Sequence, residues 1–185
     1  MLYTRKGDSG TTKDFASKPG ERKSKSSCQT EALGASDELN SFLGLVKVKA
    51  AEVSWKVEGK TPVDIVWWVQ DSLFSVQAEL AGSDKRIAED KVMQMETWID
   101  SMEKEMPPIK TFFISGGTEL AALFDVSRTL ARKLERRVVA GIESGEAKAE
   151  SPTLAFLNRL SSLLYALARL SNHKANIEEI PPSYS

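Results

Sequence analysis

Apolar residues recur at steps of three and four along most of the chain, which is the spacing that places them on one face of an α-helix. The pattern predicts amphipathic helices over about 31–53, 63–81, 89–105 and 118–140. A fifth helix starts at 151 and is apolar almost all round, which is typical of a helix at the centre of a bundle. No segment alternates apolar and polar residues over six or more positions, so we expect an all-α protein.

These segments predict a single domain over 1–185, built as a five-helix bundle. The bundle spans 31–174. A flexible polar N-terminal arm over 1–30 precedes it, and an irregular, proline-containing tail over 175–185 follows. A chain of this length is long enough to bury a substantial apolar core.

The fourth predicted helix carries cationic side chains along the border of its apolar face. Thr118 is a good N-cap residue for it. Its apolar arc consists of Leu120, Leu123, Phe124, Leu130, Ala131, Leu134 and Val138. Arg128, Arg132 and Glu135 share one line at the edge of this arc with Arg136 just beyond, and we name these four residues the arginine stripe. A solvated charged face is the ordinary interpretation, but the position beside the buried face and the preference for arginine favour binding of phosphate or carboxylate.

The last predicted helix has a clear start, with Ser151 as N-cap and Pro152 at the first helical position. Four polar residues interrupt its apolar surface at a helical spacing and form a second stripe: Asn158, Ser162, Tyr165 and Arg169. Burial of such a group without a partner costs roughly 1–3 kcal/mol. We therefore expect this stripe to meet another polar surface, and the arginine stripe is the obvious candidate.

The predicted arm contains two polar, basic segments. Residues 4–12 combine glycines, hydroxyls and basic side chains, a composition that can turn consecutive backbone N–H groups towards an anion. Residues 18–27 form a second basic, serine-rich segment. Composition alone favours a disordered tail for both. The close spacing of the glycines in the first segment favours a nucleotide-phosphate loop instead.

Composition excludes several classes of protein. The 25 basic and 26 acidic residues leave a net charge of −1, so nothing suggests nucleic-acid binding. The single cysteine, Cys28, fits a reducing compartment, and the single histidine, His173, excludes histidine-rich zinc sites and the Glu-x-x-His pairs of di-iron bundles. The chain contains no apolar run of about 18 residues, which is the length that a membrane-spanning helix needs. We expect a cytoplasmic protein.

Four separated motifs resemble one known family. They are YTRKGDSGTT at 3–12, GASDELNSFLG at 34–44, FFISGGTELAALFDVSRTLARKLERRVV at 112–139 and FLNRLSSLLYALAR at 156–169. Their order and spacing are similar to those of the ATP:corrinoid adenosyltransferases of the propanediol-utilisation (PduO) type. The resemblance covers nearly the whole chain and is weakest over 51–106.

The resemblance implies a ferritin-like five-helix bundle that assembles as a homotrimer, with active sites between adjacent subunits. Members of the family transfer the 5′-deoxyadenosyl group of ATP to cob(I)alamin and release triphosphate, with Mg²⁺ as the metal. The product would pass to an adenosylcobalamin-dependent enzyme. Two alternatives stay open: a non-catalytic carrier or sensor that binds ATP and corrinoid, and a helical scaffold in which the arginine stripe serves only salt bridges.

The resemblance also implies the residues that bind ATP. The part of the arm that would wrap the nucleotide comprises Tyr3, Thr4, Arg5, Gly7, Asp8, Gly10, Thr11 and Lys25. In the bundle, the positions that match ATP and metal binding are Arg132, Glu135, Arg136 and Asn158. Glu135 is the implied Mg²⁺ contact, made through ATP.

Two further roles follow from the same resemblance. Phe112 matches an aromatic residue that displaces the lower axial ligand of the corrin, and together with Arg132 it forms the expected catalytic set. Asp37 and Arg128 match a pair that bridges two subunits.

The chain departs from the family pattern at four positions. Ser115 stands where proline usually precedes the glycine pair, and Asp125 stands at a position often held by histidine. Lys133 replaces an arginine, and Ser162 replaces an aspartate in the last helix. Lysine carries a compact point charge, whereas the planar guanidinium of arginine can donate two parallel hydrogen bonds. Lys133 would therefore weaken a phosphate or structural contact. The loss of the carboxylate at Ser162 removes a partner for an arginine.

Overall fold

Five α-helices make up most of the protein in the computed structural model, which describes residues 3–15 and 17–184. They are α1 (Cys28–Ala50), α2 (Pro62–Leu80), α3 (Glu89–Glu105), α4 (Glu119–Glu143) and α5 (Ser151–Lys174). Two short antiparallel strands, β1 (Thr11–Thr12) and β2 (Lys23–Ser24), form a hairpin ahead of them. The predicted all-α, five-helix class is confirmed, while residues 1, 2, 16 and 185 of the predicted arm and tail lie outside the described residues.

Capping side chains explain where three of the helices begin. Ser27 accepts from the backbone N–H of Thr30, so α1 starts three residues before the predicted position. Thr61 and Asp64 form a reciprocal capping box at the start of α2. The predicted cap Thr118 accepts from the N–H of Ala121 at 3.1 Å. The α4 helix runs three residues beyond the predicted end at 140.

The start of α5 corrects the predicted cap. Ser151 is already helical, and Glu150 stands at the N-cap position without a side-chain hydrogen bond of its own. A residue of α2 takes the capping role, since the carboxylate of Glu79 accepts from the backbone N–H of Glu150 at 2.6 Å and from the hydroxyl of Thr153 at 2.5 Å. Glu79 is only 5% exposed. A carboxylate at this end of a helix also suits the positive pole of the helix dipole.

The helices pack in the spatial order α2, α1, α4, α5, α3. Ion pairs at both ends show that α1 and α4 run antiparallel: Lys49 contacts Glu119 at 2.8 Å, and Arg137 contacts Glu31 at 3.6 Å. The α5 helix is buried on most of its surface between Phe156 and Asn172, as its apolar pattern predicts. None of the described helices has both the length and the apolar character needed to cross a bilayer.

An aromatic cluster closes the bundle on the side where α2, α3 and α5 meet. The ring of Trp68 lies edge-on to Trp98 with centroids 5.1 Å apart, and it is tilted against Phe156 at 6.0 Å. Edge-to-face contacts of this kind stabilise a fold beyond the area that they bury. The neighbouring Trp67 remains 58% exposed.

A buried polar network ties the N-terminal hairpin to the bundle. The ammonium of Lys23 donates to Asp14 at 2.5 Å and to Gln29 at 2.6 Å, and the amide of Gln29 donates to the carbonyl of Leu80 at 2.6 Å. Burial by itself raises the pKa of Asp14, but hydrogen bonds from Lys23 and Ser17 outweigh this effect and lower the pKa below its ordinary value. The predicted polar arm is therefore anchored where α1 begins and α2 ends.

Candidate functional site

An open cleft of about 610 Å³ lies between α4, α5 and the segment that follows α3. One wall is formed by residues 109–116. We name residues 107–117, which include this wall and its flanking residues 107, 108 and 117, the phenylalanine loop. The α4 and α5 helices supply the opposite wall: Asp125, Arg128, Arg132, Ser162, Tyr165 and Arg169. The cleft thus combines an irregular apolar segment with a cationic helix face, a combination typical of sites that bind an apolar molecule and an anion together.

The phenylalanine loop presents apolar side chains outward. Phe112 is 78% exposed, and Ile109 and Ile114 are 49% and 61% exposed. By contrast, the ring of Phe113 lies below the guanidinium of Arg169 at 5.4 Å from its centroid. Several large apolar side chains exposed in one segment are typical of a surface that binds a ligand or another protein. The structure therefore places Phe112 at the cleft.

The arginine stripe lies along the cleft and its continuation. Arg128 donates to Asp125 at 3.3 Å, and its guanidinium lies 5.7 Å from the centroid of the Tyr165 ring. Burial raises the pKa of the Tyr165 hydroxyl, so this group stays protonated at neutral pH. Within residues 3–15 and 17–184, the side chains of Arg132 and Arg136 make no hydrogen bond or ion pair. Their guanidinium groups can therefore bind an anion.

A chain of hydrogen bonds brings Glu135 and Asn158 together. The amide of Asn158 donates to Glu135 at 2.9 Å, while its carbonyl oxygen accepts from Arg159 at 2.8 Å. Arg159 in turn donates to Glu96 of α3 at 2.9 Å. Because Arg159 occupies the oxygen of the amide, the nitrogen is directed to Glu135. The sequence motif contained Arg159, but its spacing gave no indication of this orienting role.

The two predicted polar stripes are in contact at two of four positions, and a third residue lies in the same cleft as the arginine stripe. Asn158 contacts Glu135, Tyr165 contacts Arg128, and Ser162 shares the cleft with Arg132. The fourth residue, Arg169, corrects the expectation. It is 5% exposed and lines the same cleft, but its side chain hydrogen-bonds to Glu179 of the C-terminal tail and not to a residue of the arginine stripe.

The predicted nucleotide loop is compact. Lys25 donates through its ammonium to the carbonyl of Gly7 at 3.0 Å and through its backbone N–H to Gly10 at 2.9 Å. A Cβ atom at Gly7 would lie 3.2 Å from both the Lys25 ammonium and the Thr11 carbonyl, so a larger residue would require these neighbours to shift by a few tenths of an ångström. The guanidinium of Arg5 lies 5.5 Å from the centroid of the Tyr3 ring.

The arm and the cleft are associated with opposite ends of the bundle. The hairpin is anchored near the start of α1, where Cys28 lies close to Gly141 at the end of α4. The cleft lies along the first half of α4. No hydrogen bond or ion pair between described residues joins the arm to Phe112 or to the arginine stripe.

Asp37 and Arg128 do not pair within the chain. Asp37 is exposed on α1 and lines a depression of about 420 Å³ with Trp67 and Phe74 of α2. Arg128 pairs with Asp125 instead, so the residue at the position often held by histidine supplies an acceptor. Lys133 contacts Glu38 of α1 at 2.5 Å, away from the cleft.

No group of three or more histidine, cysteine, aspartate or glutamate residues in the described part of the chain could hold a metal ion. Mg²⁺ needs no such cage when it binds a nucleotide, since it keeps several waters and takes one or two carboxylates in addition to phosphate oxygens. Glu135, beside the free guanidinium groups of Arg132 and Arg136, fits that requirement.

Comparison with known proteins agrees with this geometry. Residues 2–171 match the family described as cobalamin adenosyltransferase. The corrinoid adenosyltransferase of Bacillus subtilis is 36% identical over 183 residues, which cover 97% of this chain and 90% of the relative. The corrinoid adenosyltransferase PduO of Citrobacter freundii is 34% identical over 97% of this chain, which spans 52% of that relative's length.

Solved structures extend the similarity to three dimensions. A phenylalanine-to-histidine variant of a PduO-type ATP:corrinoid adenosyltransferase from Lactobacillus reuteri, complexed with cobalamin and ATP, superposes with a TM-score of 0.86. It is 26% identical, and the match covers 100% of this chain and 98% of that chain. An arginine-to-lysine variant of the Lactobacillus reuteri enzyme, complexed with ATP, gives a TM-score of 0.83 at 27% identity over 98% and 99% of the two chains. The chain with this cleft and this bundle belongs to the cobalamin adenosyltransferase family.

Proposed function

We propose that the protein transfers the 5′-deoxyadenosyl group of ATP to the cobalt of cob(I)alamin and releases triphosphate. The observation that carries the proposal is the cleft itself, in which exposed Phe112 faces a helix wall with the unpaired Arg132. Membership of the family, and similarity to structures complexed with cobalamin and ATP, support the same conclusion.

The reaction explains why the cleft lacks a protein nucleophile. The electron pair of Co(I) forms the bond to C5′ of ATP, the C5′–O bond breaks, and its electron pair leaves with the triphosphate. The protein must align cobalt with C5′, and good orientation of this kind lowers the barrier by about 7–11 kcal/mol. It must also neutralise the leaving group.

The proposed ATP site consists of Arg132, Glu135, Arg136 and Asn158. The two unpaired guanidinium groups would bind phosphate oxygens, and Glu135 would hold Mg²⁺ through the nucleotide. Magnesium supplies charge neutralisation on the triphosphate when it is bound. The residues of the arm proposed to wrap ATP are Tyr3, Thr4, Arg5, Gly7, Asp8, Gly10, Thr11 and Lys25.

Phe112 is the proposed catalytic residue on the corrin side of the cleft. Its exposed ring can cover the lower face of the corrin and exclude the axial ligand. Removal of that ligand makes Co(II) easier to reduce, so Phe112 would act before Co(I) attacks ATP. The position of the ring at the edge of the cleft supports this role.

We propose a homotrimer in which adjacent subunits complete the site. Asp37 lines a depression together with two exposed aromatic residues of α2, Trp67 and Phe74. Two further exposed apolar residues, Leu45 and Val48, lie on α1. An exposed apolar surface of this kind indicates a protein interface. Asp37 of one subunit would there meet Arg128 of the next, and a neighbour's arm would complete the ATP site at the arginine stripe.

The compartment and the product's fate are also proposals. The single cysteine, Cys28, is free, which supports a reducing compartment such as the cytoplasm. A reaction class that consumes adenosylcobalamin must follow, so an adenosylcobalamin-dependent enzyme would receive the product.

An anaerobic assay with ATP, Mg²⁺ and chemically reduced cob(I)alamin tests the proposal. Conversion to the visible spectrum of adenosylcobalamin with release of triphosphate is the expected result. Binding of ATP and corrinoid without conversion would instead identify a carrier or sensor. Failure to bind ATP would leave the arginine stripe with a structural role alone.

A further inference from the structure

The phenylalanine loop, residues 107–117, is fixed by α5 at both of its ends. The guanidinium of Arg169 donates to the carbonyl of Pro107 at 3.0 Å. At the other end, the amide of Asn172 donates to the carbonyl of Gly116 at 2.8 Å and accepts from the N–H of Thr118 at 2.9 Å. Asn172 lies so close to the backbone of Gly117 that a Cβ atom there would clash with its side-chain amide.

The C-terminal tail fixes the loop between these ends. The backbone N–H of Ile114 donates to the carbonyl of Ile180 at 2.8 Å. This bond is made two residues after Phe112, the exposed residue at the cleft. The tail thus contacts the part of the loop whose side chains face the cleft.

An ion pair between the buried Arg169 and the partly buried Glu179 holds the tail in place. Arg169 donates through Nε and Nη2 to both carboxylate oxygens of Glu179, at 2.7–3.0 Å. Hydrogen bonding to Glu179 raises the pKa of the Arg169 guanidinium, so this group keeps its positive charge. Arg169 also lies over the ring of Phe113. One guanidinium therefore joins the tail, the start of the loop and a side chain in its middle.

We propose that Glu179 is a positioning residue for the adenosyltransferase reaction, acting through Arg169 and Ile180 to hold the loop so that Phe112 stays at the corrin side of the cleft. The inference rests on the proposed function. Loss of the Glu179 carboxylate leaves Arg169 buried without its counter-charge, which is strongly unfavourable. Arg169 must then seek other partners, and both the Pro107 contact and the Ile180 contact are weakened.

The consequence is selective for the oxidation state of cobalt. Reaction from cob(II)alamin needs one electron from an added reductant, and it needs the axial ligand removed before the electron arrives. Reaction from pre-reduced cob(I)alamin starts after that step. A misplaced Phe112 therefore slows the first reaction more than the second.

The test compares Glu179→Gln with the matched control Glu178→Gln in the full-length protein. Glu178 is the exposed neighbour, so its substitution changes the same charge in the same segment. For Glu179→Gln we expect kcat from cob(II)alamin, with a one-electron reductant, to fall by about tenfold or more, since misplacement by 1 Å can cost up to a hundredfold. We expect a change of less than about twofold from cob(I)alamin and in the Kd for ATP, a difference that corresponds to less than ~0.4 kcal/mol.

Glu179→Asp retains the charge with a shorter reach, so it should recover part of the lost rate. Equal losses from cob(II)alamin and cob(I)alamin, or a lowered melting temperature with unchanged kinetics, would overturn the positioning role, as would kinetics equal to those of Glu178→Gln. If the unsubstituted protein does not convert cob(I)alamin at all, the proposed function fails, and this result is distinct from any difference between the variants.

Discussion

Arg132 occupies a position where a charge can be removed at little cost to the fold. Its side chain is exposed at the edge of the buried face of α4 and makes no ion pair with another described residue. Arg132→Ala should weaken ATP binding by about tenfold to a hundredfold, because a charged hydrogen bond contributes roughly 1.5–3 kcal/mol. Calorimetric titration with ATP measures the loss, and the melting temperature should change little. A large fall in melting temperature with intact ATP affinity would refute the assignment.

Phe112 permits a similar separation, since a ring that is 78% exposed contributes little to the core. Phe112→Ala should reduce the rate from cob(II)alamin, supplied with a reductant, much more than the rate from pre-reduced cob(I)alamin. Phe113→Leu removes the ring under Arg169 instead, so it tests how the loop is held and not the exposed ring itself. Equal losses from the two cobalt states in Phe112→Ala would remove its proposed role at the axial position.

Individual contacts of the site were predictable from sequence only where both partners lie on periodic elements. Asn158 and Glu135 each belong to a stripe with helical spacing, so their meeting followed from the packing of two helices. Arg169 belongs to the same stripe, yet its partner Glu179 lies in an irregular tail without periodicity. No spacing rule could pair them.

At the scale of elements, the hairpin that anchors the arm should respond to acid. The Asp14 carboxylate is 5% exposed and its pKa is lowered below the ordinary value of 3.8, in spite of burial, by hydrogen bonds from Lys23 and Ser17. A carboxyl whose pKa is lower in the folded state stabilises that state above its unfolded pKa, and this contribution is lost as pH falls through the folded pKa.

The backbone amide signals of Thr12 and Lys23 in an NMR titration should therefore shift with a midpoint below pH 3.8. Asp14→Asn should remove this transition and leave the acid response of α5 unchanged. Hairpin signals that shift between neutral pH and pH 5 would contradict the assignment, since no lowered carboxyl pKa produces a transition there.

Helices were predictable as elements, and the hairpin was not. The α3 helix has its predicted bounds, because its apolar period and the prolines that follow leave little choice. Strands of two residues are too short to show alternation, so β1 and β2 left no pattern in the arm. The cap of α5 was also hidden, since Glu79 lies 71 residues before Glu150 in the chain.

At the scale of the whole molecule, a single chain forms the cleft, but the described part of its own N-terminal arm does not reach it. The arm is anchored at one end of the bundle and the phenylalanine loop lies at the other. The sequence motifs covered both parts, which the proposed homotrimer would bring together. Contacts between subunits leave no periodic signal distinct from that of an ordinary exposed face.

Asp37→Ala should weaken assembly of the proposed homotrimer, because it removes a charge from an interface and leaves its partner unpaired. Light scattering over a range of protein concentrations should show dissociation at concentrations where the unsubstituted protein is assembled. Glu58→Ala serves as a control, since Glu58 is an exposed acid in the turn between α1 and α2. An unchanged mass for Asp37→Ala would exclude the residue from the interface.

The capping of α5 by Glu79 has a consequence for how this sequence can diverge. The carboxylate contacts both Glu150 and Thr153, and the Thr153 side chain is completely buried. If Glu79 is replaced by an apolar residue, the buried hydroxyl of Thr153 and the backbone N–H of Glu150 both lose their hydrogen-bond acceptor. Substitution at 79 should therefore be inherited together with an apolar residue at 153 and a new serine or aspartate at 150. Two regions far apart in the gene are thus constrained to change as one.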